Sequence, residues 1–495
     1  MPTRRQFLRG ATGTAAGLAL APSSSGAAAA GVHVNDLHSK LNGTSVERVV
    51  AVDSESAVEA ALAAARREGK PVCVAGGRHA MGGQQFATGA VLLDTRPMQR
   101  IIGLDVERGI VEAEAGIQWP DLVKGLIALQ QGRTPAWGIV QKQTGADNLT
   151  LGGALGANIH GRGLALRPII GDVESFTLMD AGGRACTCSR TENRELFGLA
   201  IGGYGLFGVV TRVKLKLMRR TKLERAVDII DIDDLMPAFA ERIAEGCLYG
   251  DCQFSTDMSS DTFLRKGVFS CYRPLPPDAA MPDEQKELGE SQWRELYYLS
   301  HADTRRAYEA YTSYYLSTSG QRYWSDTGQL GVYIDDYHAE LDRRLGAAHE
   351  GSEMISELYV PRPALPSFLS AVRADFRQRD AKLIYGTIRL IERDDESFLA
   401  WAREPWVCTV MNLHVDHTED GVRKAAGDFR RLIDRAIEHG GSYFLTYHRW
   451  ANRAQVEACH PRMDAFLRLK QRHDPHDVFQ STWYRHYKQM FADRP

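Results

Sequence analysis

The chain has 495 residues, too many for one core at the usual ~100–200 residues per domain, so two or three domains are expected and a small binding module is excluded. Hydrophobic residues at 44% and charged residues at 25% are those of an ordinary folded protein, which excludes disorder, collagen-like repeats and a multi-span membrane protein. Sixty Lys and Arg against 62 Asp and Glu leave a net charge of −2, so no global basic field exists to attract nucleic acid or an anionic membrane.

In chain order, residues 1–30 read as an export signal rather than as part of the fold. Thr3-Arg4-Arg5-Gln6-Phe7-Leu8 is similar to the twin-arginine consensus, and residues 10–21 form a weakly apolar run too short to make a stable membrane span. Small residues at 27–30 suit a signal peptidase. The alternative, a basic amphipathic first helix, conflicts with the Gly and Pro between 13 and 26. Export by the twin-arginine machinery to the periplasm or medium is therefore expected. A helix follows over 54–68 with Ser54 as N-cap, then strands over 71–75, 90–94, 110–115, 175–180 and 209–217. From 223 to 451 the segments lengthen: helices over 235–244, 365–376 and 422–439, strands over 356–360, 383–391 and 407–415. The tail, 455–494, reads as helical until Pro475 stops it, and as aromatic beyond.

Eight scattered cysteines show neither a disulfide framework nor zinc spacing; Cys186 with Cys188, and Cys247 with Cys252, read as packing residues. His473 with His476, and His414 with His417, lack a third ligand, so no metal site is expected. The Tyr- and Trp-rich stretch 308–337 reads as core and pocket lining.

The 46 glycines carry the chemistry. Gly203-Tyr204-Gly205-Leu206-Phe207-Gly208 matches the dinucleotide fingerprint, but strand-like sequence follows it where that fingerprint must open a helix, so a Rossmann domain is not expected. Gly76-Gly77-Arg78-His79-Ala80-Met81-Gly82-Gly83-Gln84 follows a buried strand and can turn several backbone N–H groups onto an anion. A second run, from Asn148 through Thr150, Gly152, Gly153, Asn158, His160 and Gly161, has almost no bulk, as a flat ring lying against the main chain requires. Two ligand-free glycine turns are the plainer alternative.

Both runs resemble the FAD-binding domain of the vanillyl-alcohol oxidase superfamily, the PCMH type shared by alditol and aldonolactone oxidases and cytokinin dehydrogenases. The first is similar to that family's Gly-Arg-Gly-His-Ser-x-x-Gly-Gln loop and the second to its T-x-G-G-x-x-x-x-N-x-H-G segment. Residues 200–211 resemble its last FAD-domain motif, and Asp474-Pro475 with Phe479 its terminal D-P-x-x-x-F. The resemblance implies an α+β fold: a two-subdomain FAD-binding domain over 31–220, a mixed α/β substrate (cap) domain over 221–450, and a segment over 451–495 returning to the FAD domain. It implies FAD held by Gly76, Gly77, Arg78, His79, Gly83, Gln84, Thr144, Gly145, Asn148, Thr150, Gly152, Gly153, Asn158, His160, Gly161 and Val209, and covalently attached through His79. Arg78 departs from the family, which has Gly before the histidine.

Substrate chemistry falls to the cap. Ser356-Glu357-Leu358-Tyr359-Val360-Pro361 resembles the M-E-Y-x-V-P strand of sugar-lactone oxidases, and 383–390 their E-V-R strand, with Thr387 in place of the Glu. At period two, Tyr385, Thr387 and Arg389 share a face, as do Asn412, His414 and Asp416. An inter-strand hydrogen-bond network is the alternative to a substrate wall for the second set. The implied reaction is hydride transfer from a hydroxylated small molecule to flavin, with Arg389 and Glu357 at the substrate and His414 or His448 as base. Oxygen is the expected acceptor. A dehydrogenase using a quinone or protein acceptor, and a non-catalytic flavin-binding protein, are the alternatives.

Overall fold

The computed structural model describes residues 31–331, 334 and 337–492. The export signal expected over 1–30 lies outside the described residues. Three strands, Arg48–Ala51, Val91–Asp94 and Val72–Ala75, form a parallel sheet with Val91–Asp94 in the middle. Helix Glu55–Arg67 covers it, because Val58, Leu62 and Ala65 recur at helical spacing and pack on Val72, Val91 and Leu93. Its start is where Ser54 can cap: the hydroxyl accepts from Ala57 N at 3.3 Å.

A second, antiparallel sheet runs in the order Ala185–Ser189, Val173–Met179, Val209–Arg219, Ile110–Glu114, Ile101–Asp105, with Trp137–Ile139 on the far end of Val209–Arg219. Val209–Arg219 alternates buried and less buried residues along its length. It is the strand that the period-two reading expected after the fingerprint-like glycines.

The third sheet is antiparallel with eight strands: Arg322–Trp324, Lys222–Asp231, Lys266–Pro274, Tyr249–Phe254, Leu383–Ile391, Trp406–Asp416, Gly351–Pro361 and Ser442–Tyr443. Its two faces differ in kind. Met354, Leu358, Val360, Val407, Met411 and Leu413 join Phe368, Val372, Phe429 and Leu432 of helices Leu365–Arg379 and Glu419–Glu438 in one apolar core. The alternate residues, among them Ile355, Glu357 and Arg389, face the other way, toward the glycine-rich segments. The molecule is thus the α+β, two-part architecture expected: two small sheets carrying the glycine segments and a large helix-backed sheet opposite them.

The tail differs from its sequence reading. It is three helices, Arg453–Cys459, Met463–His473 and Thr482–Ala492. Pro461 already interrupts the first, and the aromatic end is itself helical, since Trp483, Tyr484, Tyr487 and Phe491 are spaced to bury one face. Between the last two helices the chain lies beside Val72–Ala75: Val72 N donates to Val478 O at 2.7 Å and Gln480 N to Val72 O at 2.8 Å. Asp474 fixes this turn by accepting from Val478 N and Phe479 N, and Lys470, wholly buried, holds its carboxylate at 2.8 Å. Phe479 enters the core beneath helix Glu55–Arg67. All eight cysteines are free thiols, with the Cys186 and Cys188 sulfurs 4.0 Å apart.

Candidate active site

Strand Val72–Ala75 ends at Gly76, and the loop that follows forms one wall of a cavity of about 250 Å³. Gly76 and Gly77 are required by crowding: a Cβ on Gly76 would overlap the Thr150 hydroxyl, and one on Gly77 the Asn148 carbonyl. Arg78 stands at φ 59°, in the left-handed region that glycine adopts freely and arginine only with strain. That is the position where the resembled family has Gly, and the conformation is kept despite the Cβ. Arg78 stays in the cavity wall with its Nη2 3.8 Å from Asp94, while its Nε is buried without a hydrogen-bond partner. His79 follows on the same wall. Burial first, then the neighbouring His38, push its imidazole down to about 4, against the pull of Asp36, so it is neutral at ordinary pH.

The second glycine segment, which packs against this loop, forms another wall. Thr150 caps the short helix Leu151–Ala157, accepting from Gly153 N at 3.1 Å, and Gly152, Gly153 and Gly156 leave its surface bare of side chains toward the cavity. Thr144 and Gly145 close this side, with the Thr144 hydroxyl unpartnered. These donors and the side-chain-free helix surface suit a cofactor with a pyrophosphate and a flat ring.

The floor comes from the cap sheet. Glu357 is 3% exposed, and its carboxylate is surrounded by donors. His160 reaches Oε1 through Nε2 at 2.6 Å, Tyr359 donates to Oε1 at 2.6 Å, Tyr447 to Oε2 at 3.0 Å, and the Cys408 thiol to Oε1 at 3.4 Å. Burial alone pushes this carboxyl up, but His160, Tyr359 and the nearby Arg389 outweigh it and bring it down to about 2. Arg389, one strand beyond Cys408, lines the cavity and makes no ion pair with Glu357 within 4 Å; its Nε is buried without a partner. The role of Arg389 is therefore not confined to an ion pair with Glu357. A buried guanidinium with an unmet donor is what a substrate oxygen or other acceptor would satisfy.

Of the residues expected at the cofactor, Gly76, Gly77, Arg78, His79, Gln84, Thr144, Gly145, Thr150, Gly152, Gly153 and His160 line the cavity. Five stand outside it. Gly83 abuts Arg449, Gly161 rests on the Lys142 carbonyl, and the Asn148 carbonyl accepts from Gln118. Asn158 ties the helix end to the loop after Arg389, giving Nδ2 to Asp394 at 2.9 Å and accepting from Trp401 at its carbonyl. Val209 is in the core under the parallel sheet, and its neighbour Val210 faces the cavity instead.

The two histidines expected as bases are not brought to the cavity. His448 is buried against Trp450, rings stacked 4.1 Å apart, and burial drives it down to about 3. Its neighbour Tyr447 lines the cavity instead: the segment reaches the site, but within this turn the side chain directed inward is the one before His448. His414 pairs with Asp416 at 3.2 Å near His301, and Asn412 donates to Glu353 at 2.6 Å, so this strand face forms the inter-strand network. Among the described residues of 308–337, none lines the cavity; Tyr311 and Tyr315 stack on each other along helix Thr304–Ser317. Sequence reasoning missed His38, Tyr204, Phe207, Phe444 and Tyr447. His38 lies in a short N-terminal segment with no motif, while Tyr204 and Phe207 sit within the fingerprint-like run, which marked them.

Comparison with known proteins agrees with this geometry. The family model of the FAD binding domain matches residues 46–189. An uncharacterised oxidoreductase of the fasciation locus of Rhodococcoides fascians is 29% identical over 52% of this chain and 56% of its own length. Decaprenylphosphoryl-beta-D-ribose oxidase of Mycolicibacterium smegmatis is 23% identical over 87% of this chain and 92% of its own. L-gulonolactone oxidase of Mus musculus is 30% identical over 36% of this chain and 38% of its own, so this chain spans little more than a third of that relative and about half of the first. Residues 46–189 therefore match an FAD binding domain, and the relatives this chain is similar to are oxidoreductases.

The Glu357 carboxyl predicts an acid limit to stability. Because its folded value, about 2, lies below the ordinary 4.5, its contribution is complete above about 4.5 and is lost as pH falls toward 2. Urea unfolding from pH 7 to 2 should show Glu357→Gln less stable at neutral pH by roughly 3–5 kcal/mol, since the buried His160 loses its anion, and with a shallower fall below pH 4.5. Parallel curves for the two proteins would contradict the assignment.

Proposed function

We propose that this FAD-linked oxidoreductase oxidises a small hydroxylated substrate, an alcohol, polyol, sugar or aldonolactone, with oxygen as electron acceptor. The observation that carries this reading is the unpartnered Arg389 guanidinium, set by the cap sheet in the same cavity as the glycine-built cofactor walls. Two relatives named as oxidases of a ribose and of a lactone support a hydroxylated substrate. FAD bound between the two glycine segments supplies a two-electron acceptor for the hydride of the substrate C–H bond.

The chain's own residues do the remainder. Arg389 holds the substrate oxygen with a permanent charge and a planar fork. Glu357, held so far below the ordinary carboxylate range, is a poor base and serves to orient His160 and Tyr447. His38 is the imidazole suited to take the hydroxyl proton: it lines the cavity, burial keeps it neutral, and its Nε2 has no hydrogen-bond partner. The apolar Ile355, Phe444 and Leu149 on the walls limit water.

Stopped-flow reduction of the loaded enzyme against a panel of polyols, sugars and aldonolactones tests this reading. With the substrate so found, Arg389→Ala should slow reduction by on the order of a hundredfold or more at unchanged FAD content, and Arg389→Lys should restore part of the rate. An unaltered rate removes Arg389 from the site, and peroxide release in air checks oxygen as the acceptor.

In the same reading His79 carries the FAD covalently, its neutral imidazole in the cavity wall on the glycine-rich loop. Acid-precipitated protein should stay yellow, with the mass of FAD on the His79 peptide, and His79→Ala should release the flavin to the supernatant. A colourless pellet from fully loaded protein refutes the link.

Residues 1–30 are proposed as a twin-arginine signal that makes the mature protein periplasmic or secreted. Arg4→Lys with Arg5→Lys should retain folded, flavin-loaded protein in the cytoplasm, read by cell fractionation. Normal export of this variant counts against the assignment.

A further inference from the structure

Away from the cofactor cavity, the loop joining Leu383–Ile391 to Trp406–Asp416 meets the break between helices Arg453–Cys459 and Met463–His473 around a second cavity, of about 210 Å³. Three arginines line it, Arg393 and Arg403 from the loop and Arg462 from the break. Asp394 and Asp395 line it as well, but their carboxylates, like that of Glu396 beside them, are engaged by partners of their own. Asp394 accepts from Asn158 Nδ2, from the Ser397 hydroxyl and from the backbone N–H groups of Glu396 and Ser397. Asp395 faces Arg167 at 3.4 Å, and Glu396 is held by Arg190 at 2.5 Å. None of the three lining arginines has an ion pair among the described residues. Arg403 Nε is buried with no partner, and the Arg462 guanidinium lies 3.7 Å over the Phe398 ring.

His460, 3% exposed, also lines the cavity. Burial, with Arg403 beside it, pushes its imidazole down to about 3, so it is neutral. Its hydrogen bond to the Tyr443 backbone favours the protonated ring, so the ring donates there, and Nε2 is left buried without a partner. A neutral ring donating through one nitrogen presents a lone pair at the other. The cavity thus offers, among the described residues, three cationic side chains without ion pairs and, beside the engaged Asp394 and Asp395, one buried acceptor without a partner. A carboxylate or sulfate satisfies the donors but has no hydrogen for the acceptor, whereas a phosphate carrying one proton satisfies both.

We propose that this second cavity binds a protonated phosphate group, free or as the monoester of a small molecule, through the guanidinium groups of Arg393, Arg403 and Arg462, with His460 Nε2 accepting the P–OH hydrogen. The site is independent of the substrate assigned to the flavin cavity. It lies two residues along the loop from Trp401, whose ring stacks on Tyr359 at 4.8 Å in the wall around Glu357.

Titration calorimetry of the FAD-loaded protein tests it, with inorganic phosphate, glycerol 3-phosphate and sulfate as probes. One of the two phosphates should bind saturably at one site, the tighter of them identifying free anion or ester as the ligand, and sulfate should bind at least tenfold more weakly. Arg393→Ala and Arg462→Ala, both at exposed positions that the fold does not need, should each weaken phosphate binding about tenfold, and Arg403→Gln more. Absence of saturable binding by both phosphates, binding unchanged in Arg393→Ala and Arg462→Ala, or sulfate binding as tightly as phosphate would overturn the proposal.

Discussion

An ionised carboxylate removed from water must be surrounded by donors, and Glu357 meets that demand with groups drawn from both halves of the molecule. His160 comes from the segment that ends the second glycine run; Tyr359, Cys408 and Tyr447 come from the cap sheet and the strand-like turn beyond it. Among the described residues, no other buried group at the cavity gathers partners from so many separate segments. The consequence is positional: the glycine wall and the cap floor are registered against each other by one anion, and Arg389, two strands away in the same sheet, inherits its place from that register. Removing the charge would loosen the joint between the halves before it altered any single wall.

Much of this was legible before any coordinates because the signals are local. A helical stripe locates Leu235–Ala244 to the residue, and a strand-like apolar run locates Leu383–Ile391 equally well, a strand buried on both faces except at Tyr385. Period two also assigns Tyr385, Thr387 and Arg389 to one face of their strand, although Tyr385 is the exposed end of it, bonded to Gln253. The glycine runs were legible as walls because bulk is what they lack. What escaped was whatever depends on the third dimension. His448 and Tyr447 are neighbours with opposite orientations, and nothing in the order of residues says which of them turns inward. His38 belongs to a stretch with no periodicity at all, and it reaches the cavity only because Leu37 N bonds to Arg78 O, which lays that stretch beside the cofactor loop.

Arg78 illustrates the opposite case, where a departure from a family pattern is accommodated rather than reflected in the backbone. The loop keeps a left-handed residue at this position although the side chain costs of order 1–2 kcal/mol there. Such strain persists only where the surroundings over-determine the conformation. Here the Leu37–Arg78 bond and the crowding of Gly77 against Asn148 do so. Arg78 thereby places a cation in the cavity wall next to His79.

The pairing of Val72 with the chain around Phe479 also sets an order of events. During synthesis the parallel strands and their covering helix emerge first, with the strand that leads into the cofactor loop open along the side that Val478 and Gln480 will occupy. Domains that appear early on the ribosome can fold as units. This one is completed only by residues made near the far end of the chain. Until they arrive, Asp474 and Lys470 have not built the turn that seats Phe479, and the apolar gap beneath helix Glu55–Arg67 stays unfilled. The strand that leads into the cofactor loop is therefore completed by residues some four hundred positions later in the chain, so the loop's support depends on a distant segment rather than on its own neighbours.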